Sequence, residues 1–271
     1  MASTDQQRQI DRNVRIHDRV AARYEKIHDE IFNPVEQARL RSALERAKAA
    51  VATGAERPRA LDFGCGSGNL TRHLLELGFE VVAADVSPRF LDLVERRFEG
   101  ATLTTCRIDG TGLACVDDSS FDLAAAYSVL HHVPDYLGAV AEMARVVRPG
   151  GVLFLDHEHC PAYWDPDPAY RDFAARARRF DWRKFLVPHN YYGKLCRLLI
   201  NPKYSNEGDI HVWPDDHIEW DRIAEALATR GFEPVFEEDY LVCRAGYRPE
   251  AYQQYRERCA DMRVGAWRKG V

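Results

Sequence analysis

Two kinds of side chain in this sequence are placed to do chemistry: carboxylates at the ends of apolar runs, and imidazoles in two short clusters. Asp62 stands within Leu61-Asp62-Phe63-Gly64-Cys65-Gly66-Ser67-Gly68-Asn69-Leu70, where an apolar strand breaks into alternate glycines and a helix opens. Gly64, Gly66 and Gly68 let the backbone take positive φ and approach a ligand closely. The unpaired amides of a helix N-terminus face whatever binds there. A dinucleotide fingerprint needs its third glycine where Asn69 stands, and a carboxylate at position 62 repels a pyrophosphate and suits an amine. Glu80-Val-Val-Ala-Ala-Asp85 is a second apolar strand ending in a carboxylate, placed to accept from two ribose hydroxyls. The pair indicates a nucleoside without a pyrophosphate.

The imidazoles stand in His131-His132-Val133-Pro134-Asp135 and Asp156-His157-Glu158-His159-Cys160, each just after an apolar strand. That rim is where αβ proteins place ligands. A neutral imidazole there can take a hydroxyl proton, so His132, His131 and His157 are the candidate bases, with structural hydrogen bonding as the alternative for each. His157 and His159 share one face of a strand, and His189, His211 and His217 lie further along. No tight ligand cluster is visible, and no metal is expected.

Apolar periodicity supplies the elements that hold these groups. A helix is expected over 5–31, with Ile10, Val14, His17, Val20 and Tyr24 on one face, ended by Asn33-Pro34 and followed by a second helix to about Val51. Ser87-Pro88 is a helix start. Strands are expected at about 102–108, 123–127 and 152–156, with a helix from Pro134 to Val147 between the last two. Residues 160–215 form an aromatic-rich insertion with a basic run (Arg171, Arg176, Arg178, Arg179, Arg183, Lys184), read as a lid or binding segment. A helix at 216–230 and a strand from Phe232 resume the core. The tail after Cys243 reads as helical, and the position of a seventh strand is left open.

These landmarks together resemble the class I S-adenosylmethionine-dependent methyltransferases, of the small-molecule type that acts on quinones, sugars or natural products. The resemblance rests on Asp62-x-Gly64-x-Gly66-x-Gly68, Asp85, Asp109-Gly110, the segment Phe121 to Asp135 and the turn Arg148-Pro149-Gly150-Gly151, and covers roughly residues 58–160. It implies a Rossmann-like α/β fold, a mostly parallel sheet with helices on both faces. The expected division is an N-terminal helical cap (1–55), a cofactor-binding core (56–160), a lid (161–215) and the end of the core (216–271). It implies S-adenosylmethionine as cofactor, with Asp62 toward the ammonium, Asp85 and Val86 at the ribose, and Asp109 and Gly110 at the adenine. Tyr127 joins the site, and Tyr24 of Ala21-Ala22-Arg23-Tyr24 reaches the methionine end. The implied reaction is methyl transfer to a small molecule, a hydroxyl first and nitrogen next. A cofactor-binding module without turnover is the competing reading.

Composition narrows the partners. A formal charge of −5 argues against a nucleic-acid binder. The basic run admits an anionic or sugar-containing acceptor, or a contact between copies of the chain. The seven cysteines are scattered, without a CxxC pair, so no disulfide framework is expected and a reducing, cytoplasmic setting is. No apolar run is long enough to span a membrane.

Overall fold

The computed structural model describes residues 4–20, 28–177 and 189–271. Three helices lead: α1 (Thr4–Val20), α2 (Asp29–Phe32) and α3 (Pro34–Ala49). Asn33 caps α3, its side chain accepting from the amides of Val35 and Glu36, with Pro34 at the first helical position where no amide donor is needed. The core then alternates strand and helix: β1 (Arg59–Phe63), α4 (Asn69–Glu76), β2 (Glu80–Asp85), α5 (Pro88–Arg97), β3 (Leu103–Arg107), β4 (Phe121–Tyr127), α6 (Tyr136–Val146) and β5 (Val147–His159). Two short helices, α7 (Pro161–Trp164) and α8 (Pro168–Ala177), precede α9 (His189–Leu199) and a small hairpin of β6 (Val212–Trp213) with β7 (Asp216–His217). The chain closes with α10 (Trp220–Ala228), β8 (Phe232–Tyr240), α11 (Pro249–Tyr255) and β9 (Met262–Lys269). Among the described residues no helix is long and apolar enough to cross a membrane.

Seven strands form one sheet in the order β3-β2-β1-β4-β5-β9-β8. The first five run parallel, and β9 lies antiparallel between β5 and β8. This is the Rossmann-like class I arrangement, with its strand order reversing at β1 and β4. β4 is buried along its whole length, as a strand covered on both faces must be. Period-two alternation sends Leu61 and Phe63 to one face and Ala60 to the other, into two separate apolar layers. The open seventh strand is Met262–Lys269. The tail expected to be helical after Cys243 is helical only over Pro249–Tyr255, and Met262 opens the strand.

The insertion is split. Phe173 and Ala177 of α8 are buried against Leu241, Ala251, Tyr252 and Tyr255, which joins α8 to the C-terminal helix. Arg171 and Arg176 are exposed, while Arg178, Arg179, Arg183 and Lys184 lie outside the described residues, as does Tyr24. One cysteine pair departs from expectation: Cys106, in β3, is bonded to Cys115 in the loop that follows. Their spacing carries no motif; the chain's return from β3 brings them together. Among the described residues, Cys65, Cys160, Cys196, Cys243 and Cys259 form no disulfide.

A half-buried cation fastens α3 to the sheet. Arg39 Nε donates to Glu36 Oε2 at 2.8 Å and Arg39 Nη1 to Asp156 Oδ2 at 3.0 Å, and neither carboxylate side chain has any exposed surface. The guanidinium also lies 3.7 Å from the centre of the Tyr240 ring. Removing one partner of such an arrangement strands the opposite charge in a poorly solvated place. Arg39→Leu is expected to cost about 3–5 kcal/mol of unfolding free energy, read from urea denaturation; a loss under about 1 kcal/mol would mean that water or proton uptake replaces the arginine.

Candidate functional site

The glycine turn between β1 and α4 makes the floor of the main pocket. Gly64 has φ +71, and a Cβ there would stand 2.6 Å from Val129 Cγ1, so only glycine fits. Gly68 caps α4 with φ +89 in a left-handed conformation. From β1, Asp62 accepts from Thr71 Oγ1 at 2.5 Å. From β2, Asp85 accepts the Gly66 amide at 2.9 Å on one oxygen and the Ser87 amide at 2.8 Å on the other. Each carboxylate oxygen has a second lone pair, so both acids can still accept from a ligand. Burial raises Asp62 to about 7 and Asp85 to about 6, because each carboxylate is removed from water without a cation beside it.

The pocket above this floor is lined by Asp62, Gly64, Gly66, Asp85, Val86, Gly110 and Tyr127, which brings together most of the residues singled out in the sequence. Gly68 and Asp109 are outside the lining. Asp109 is exposed, its Oδ1 taken by the amide and hydroxyl of Thr111, and it faces a neighbouring hollow beside Gln7 and Ile10. Helix α1 roofs the pocket with Ile10, Asn13 and His17. Ile10 packs on Gly110, and a Cβ at that glycine would meet it at 3.1 Å. His17 was read only as part of an apolar helix face. Its ring lies edge-on to His132 at 5.0 Å between centroids, and burial lowers its pKa to about 4. Nothing in the local pattern distinguishes it from a core position.

Beside the pocket lies a second, polar cavity on the same rim. Its walls carry His131, His132, His157, Glu158, Glu207 and Asp209, with Glu30 and Arg244. Ile31, Ser128 and His132 line both spaces, so the two meet there. Ser128 and His157 hold positive φ, 59° and 66°, a strained backbone that positions rim side chains.

The three candidate bases have different surroundings. His131 Nδ1 lies 2.8 Å from Glu158 Oε2. Burial opposes its charge, but the Glu158 carboxylate prevails and raises it to about 9, leaving the ring cationic at neutral pH. His132 is held neutral by burial and by the neighbouring His131. Its Nδ1 is buried without a hydrogen-bond partner among the described residues. His157 is also neutral, through burial and the Arg39 charge. Tyr240 Oη donates to Asp156 Oδ1 at 2.9 Å, and its oxygen, 3.2 Å from His157 Nδ1, accepts from that nitrogen, as does Tyr127 Oη at 3.3 Å, when Nδ1 carries the ring proton. That assignment leaves the lone pair on His157 Nε2. Asp135 takes no part in the rim chemistry; it caps α6 by accepting the Gly138 amide at 2.9 Å.

Residues 61–155 match the family described as a methyltransferase domain. The chain is 34% identical over 99 residues to the ubiquinone biosynthesis O-methyltransferase of Xanthomonas campestris pv. campestris, covering 36% of this chain and 41% of the relative. It is 35% identical over 99 residues to the protein of that name from Methylococcus capsulatus, covering 36% and 42%. The chain thus spans about two fifths of the length of these curated relatives. Among solved structures, an S-adenosylmethionine-dependent methyltransferase from Mesorhizobium loti matches with a TM-score of 0.54 and 24% identity, over 83% of this chain and 98% of that one. A methyltransferase from Leishmania major matches with a TM-score of 0.57 and 12% identity, over 96% and 83%. Residues 61–155 are therefore a methyltransferase domain, and the chain carries the class I S-adenosylmethionine-dependent methyltransferase fold.

Proposed function

We propose that this protein is an S-adenosylmethionine-dependent methyltransferase that methylates an oxygen of a small molecule seated in the polar cavity. The observation that carries the reading is the meeting of the two spaces at Ile31, Ser128 and His132. A methyl donor lying on the glycine turn would have its acceptor next door. The donor set fits the cofactor. Asp62 offers a buried carboxylate to an ammonium, Asp85 offers lone pairs to a diol, and the space over Gly66, where a Cβ would meet nothing within 4 Å, is one that a side chain would fill. Bound there, the cofactor supplies a methyl group already activated by its sulfonium; the protein's task is alignment and proton removal.

His157 is the base in this reading, with its Nε2 lone pair kept free by the Asp156–Tyr240–His157 chain. His131 is already protonated, and His132 stands at the junction as a wall between cofactor and acceptor. The relatives' printed name, an O-methyltransferase, favours oxygen over nitrogen. Turnover, rather than mere cofactor binding, is favoured by an oriented neutral base on the acceptor side. The cavity's carboxylates (Glu30, Glu158, Glu207, Asp209) outnumber Arg244 and the cationic His131, which favours a hydroxyl-bearing or cationic acceptor over an anionic one. The five cysteines outside a disulfide fit a reducing compartment such as the cytoplasm, where the Cys106–Cys115 bridge would be open.

Two outcomes test this. Asp62 and Asp85 hold protons near pH 7 and 6 without ligand, and the ionised forms bind the ammonium and diol. Affinity for the demethylated cofactor should therefore fall as pH drops from about 8 to 5, and Asp85→Ala should weaken it by about 1.5–3 kcal/mol. Calorimetry showing a pH-independent affinity would remove both acids from the site. His157→Ala should lower kcat by about 10²–10⁴-fold while leaving cofactor affinity unchanged. In the parent, the rising limb of kcat should lie below the ordinary histidine range, since burial and Arg39 depress the His157 pKa. A kcat within a few-fold of the parent would return His157 to a structural role.

A further inference from the structure

The polar cavity contains a donor set that methyl transfer does not by itself require. His131, His132 and Asp209 each present one ligand atom, and the three atoms lie within 4.8 Å of one another. His132 Nδ1 faces Asp209 Oδ1 at 3.4 Å but makes no hydrogen bond to it, although the nitrogen is buried. A buried imidazole nitrogen aimed at a carboxylate without bonding it is a group awaiting a third partner.

The surroundings of the three groups are arranged as for metal ligands. His131 is bound through Nδ1 to Glu158 Oε2, which leaves Nε2 as the ligand atom once an incoming cation displaces its proton to water. The other Glu158 oxygen accepts the amides of Val129 at 3.0 Å and Leu130 at 2.8 Å, so the carboxylate is itself immobilised. Asp209 is fixed in the same way: its Oδ2 accepts from Ser205 Oγ at 2.9 Å, leaving Oδ1 toward His132. The loop that carries Asp209 is sewn to the histidine turn, because the amides of Ile210 and His211 both donate to the His131 carbonyl, at 2.9 and 3.1 Å. From the other side, Asn13 Nδ2 donates to the His132 carbonyl at 2.8 Å and Gln9 Nε2 to the Gly208 carbonyl at 3.0 Å. Ligands oriented by carboxylate, hydroxyl and backbone partners are the usual second layer of a metal site.

We propose that His131, His132 and Asp209 bind a divalent transition cation of the zinc type in the polar cavity. Two imidazoles and one carboxylate suit borderline cations rather than magnesium or calcium, and three protein ligands leave coordination positions open to the cavity. The inference rests on the reading of that cavity as the acceptor site for its chemical consequence only. There the cation would hold an acceptor oxygen and lower the pKa of its hydroxyl, and the proton would pass to His157. The sequence showed the two histidines but not Asp209, which lies 77 residues beyond His132.

The test uses the full chain, stripped with a chelator and titrated with Zn²⁺ by calorimetry and with Co²⁺ by visible absorption. One equivalent of each metal should bind, with cobalt giving the intense bands of a low-coordinate site. Asp209→Asn and His131→Gln should each weaken binding by about 10–100-fold or more, while binding of the demethylated cofactor confirms that each variant is folded. Failure of the parent to bind one equivalent, or retained affinity in either variant, overturns the proposal. Metal binding is read without turnover, so its failure is separate from failure of the methyltransferase reading, which the cofactor titration and kcat report.

Discussion

The guanidinium of Arg39, held between the buried carboxylates of Glu36 and Asp156, is the interaction on which the rim of this structure depends. Burial penalises both carboxylates, and Arg39 opposes that penalty from a distance of about one hydrogen bond. The same Asp156 accepts from Tyr240, and Tyr240 accepts from His157. Glu36 in turn accepts the Cys243 amide at 2.7 Å. One side chain on a leading helix therefore links the end of β5, the end of β8 and a rim histidine.

Charge is handled differently in the two neighbouring spaces. In the glycine-floored pocket, Asp62 and Asp85 are buried without a cation beside them, and burial raises the pKa of each. In the polar cavity, the acids are partnered: Glu158 by two amides and His131, Asp209 by Ser205. The first arrangement favours reversible binding of a small cation-bearing molecule. The second favours rigid, pre-oriented donors. His132 stands between them, neutral and facing both.

Helix α1 and the 205–211 loop belong to neither strand rim, yet both complete the site. Asn13 and Gln9 from α1 reach the His132 and Gly208 carbonyls, and Arg12 Nη2 donates to the Ser205 carbonyl at 2.6 Å. The roof over the glycine-floored pocket and the wall of the polar cavity are thus one hydrogen-bonded unit, and displacement of either would open both spaces.

The sequence by itself determined the parts governed by local rules. Apolar runs ending in Asp62, Asp85 and Asp156, alternate glycines, and the Ser87-Pro88 cap each act within a few residues, so strands, turn and helix starts are legible from spacing alone. The fold and the floor of the pocket follow from them. Tertiary structure decided what depends on residues far apart in the chain. It placed Asp109 facing out rather than into the pocket, because Thr111 satisfies its carboxylate locally. It brought His17 and Asp209 to the rim, paired Cys106 with Cys115, and set β9 between β5 and β8. It also divided three similar histidines into one cationic ring, one neutral ring with an unpartnered Nδ1 and one neutral ring set against two tyrosine hydroxyls. Periodicity reports which face of an element is buried, but an imidazole's protonation is set by partners that only folding supplies.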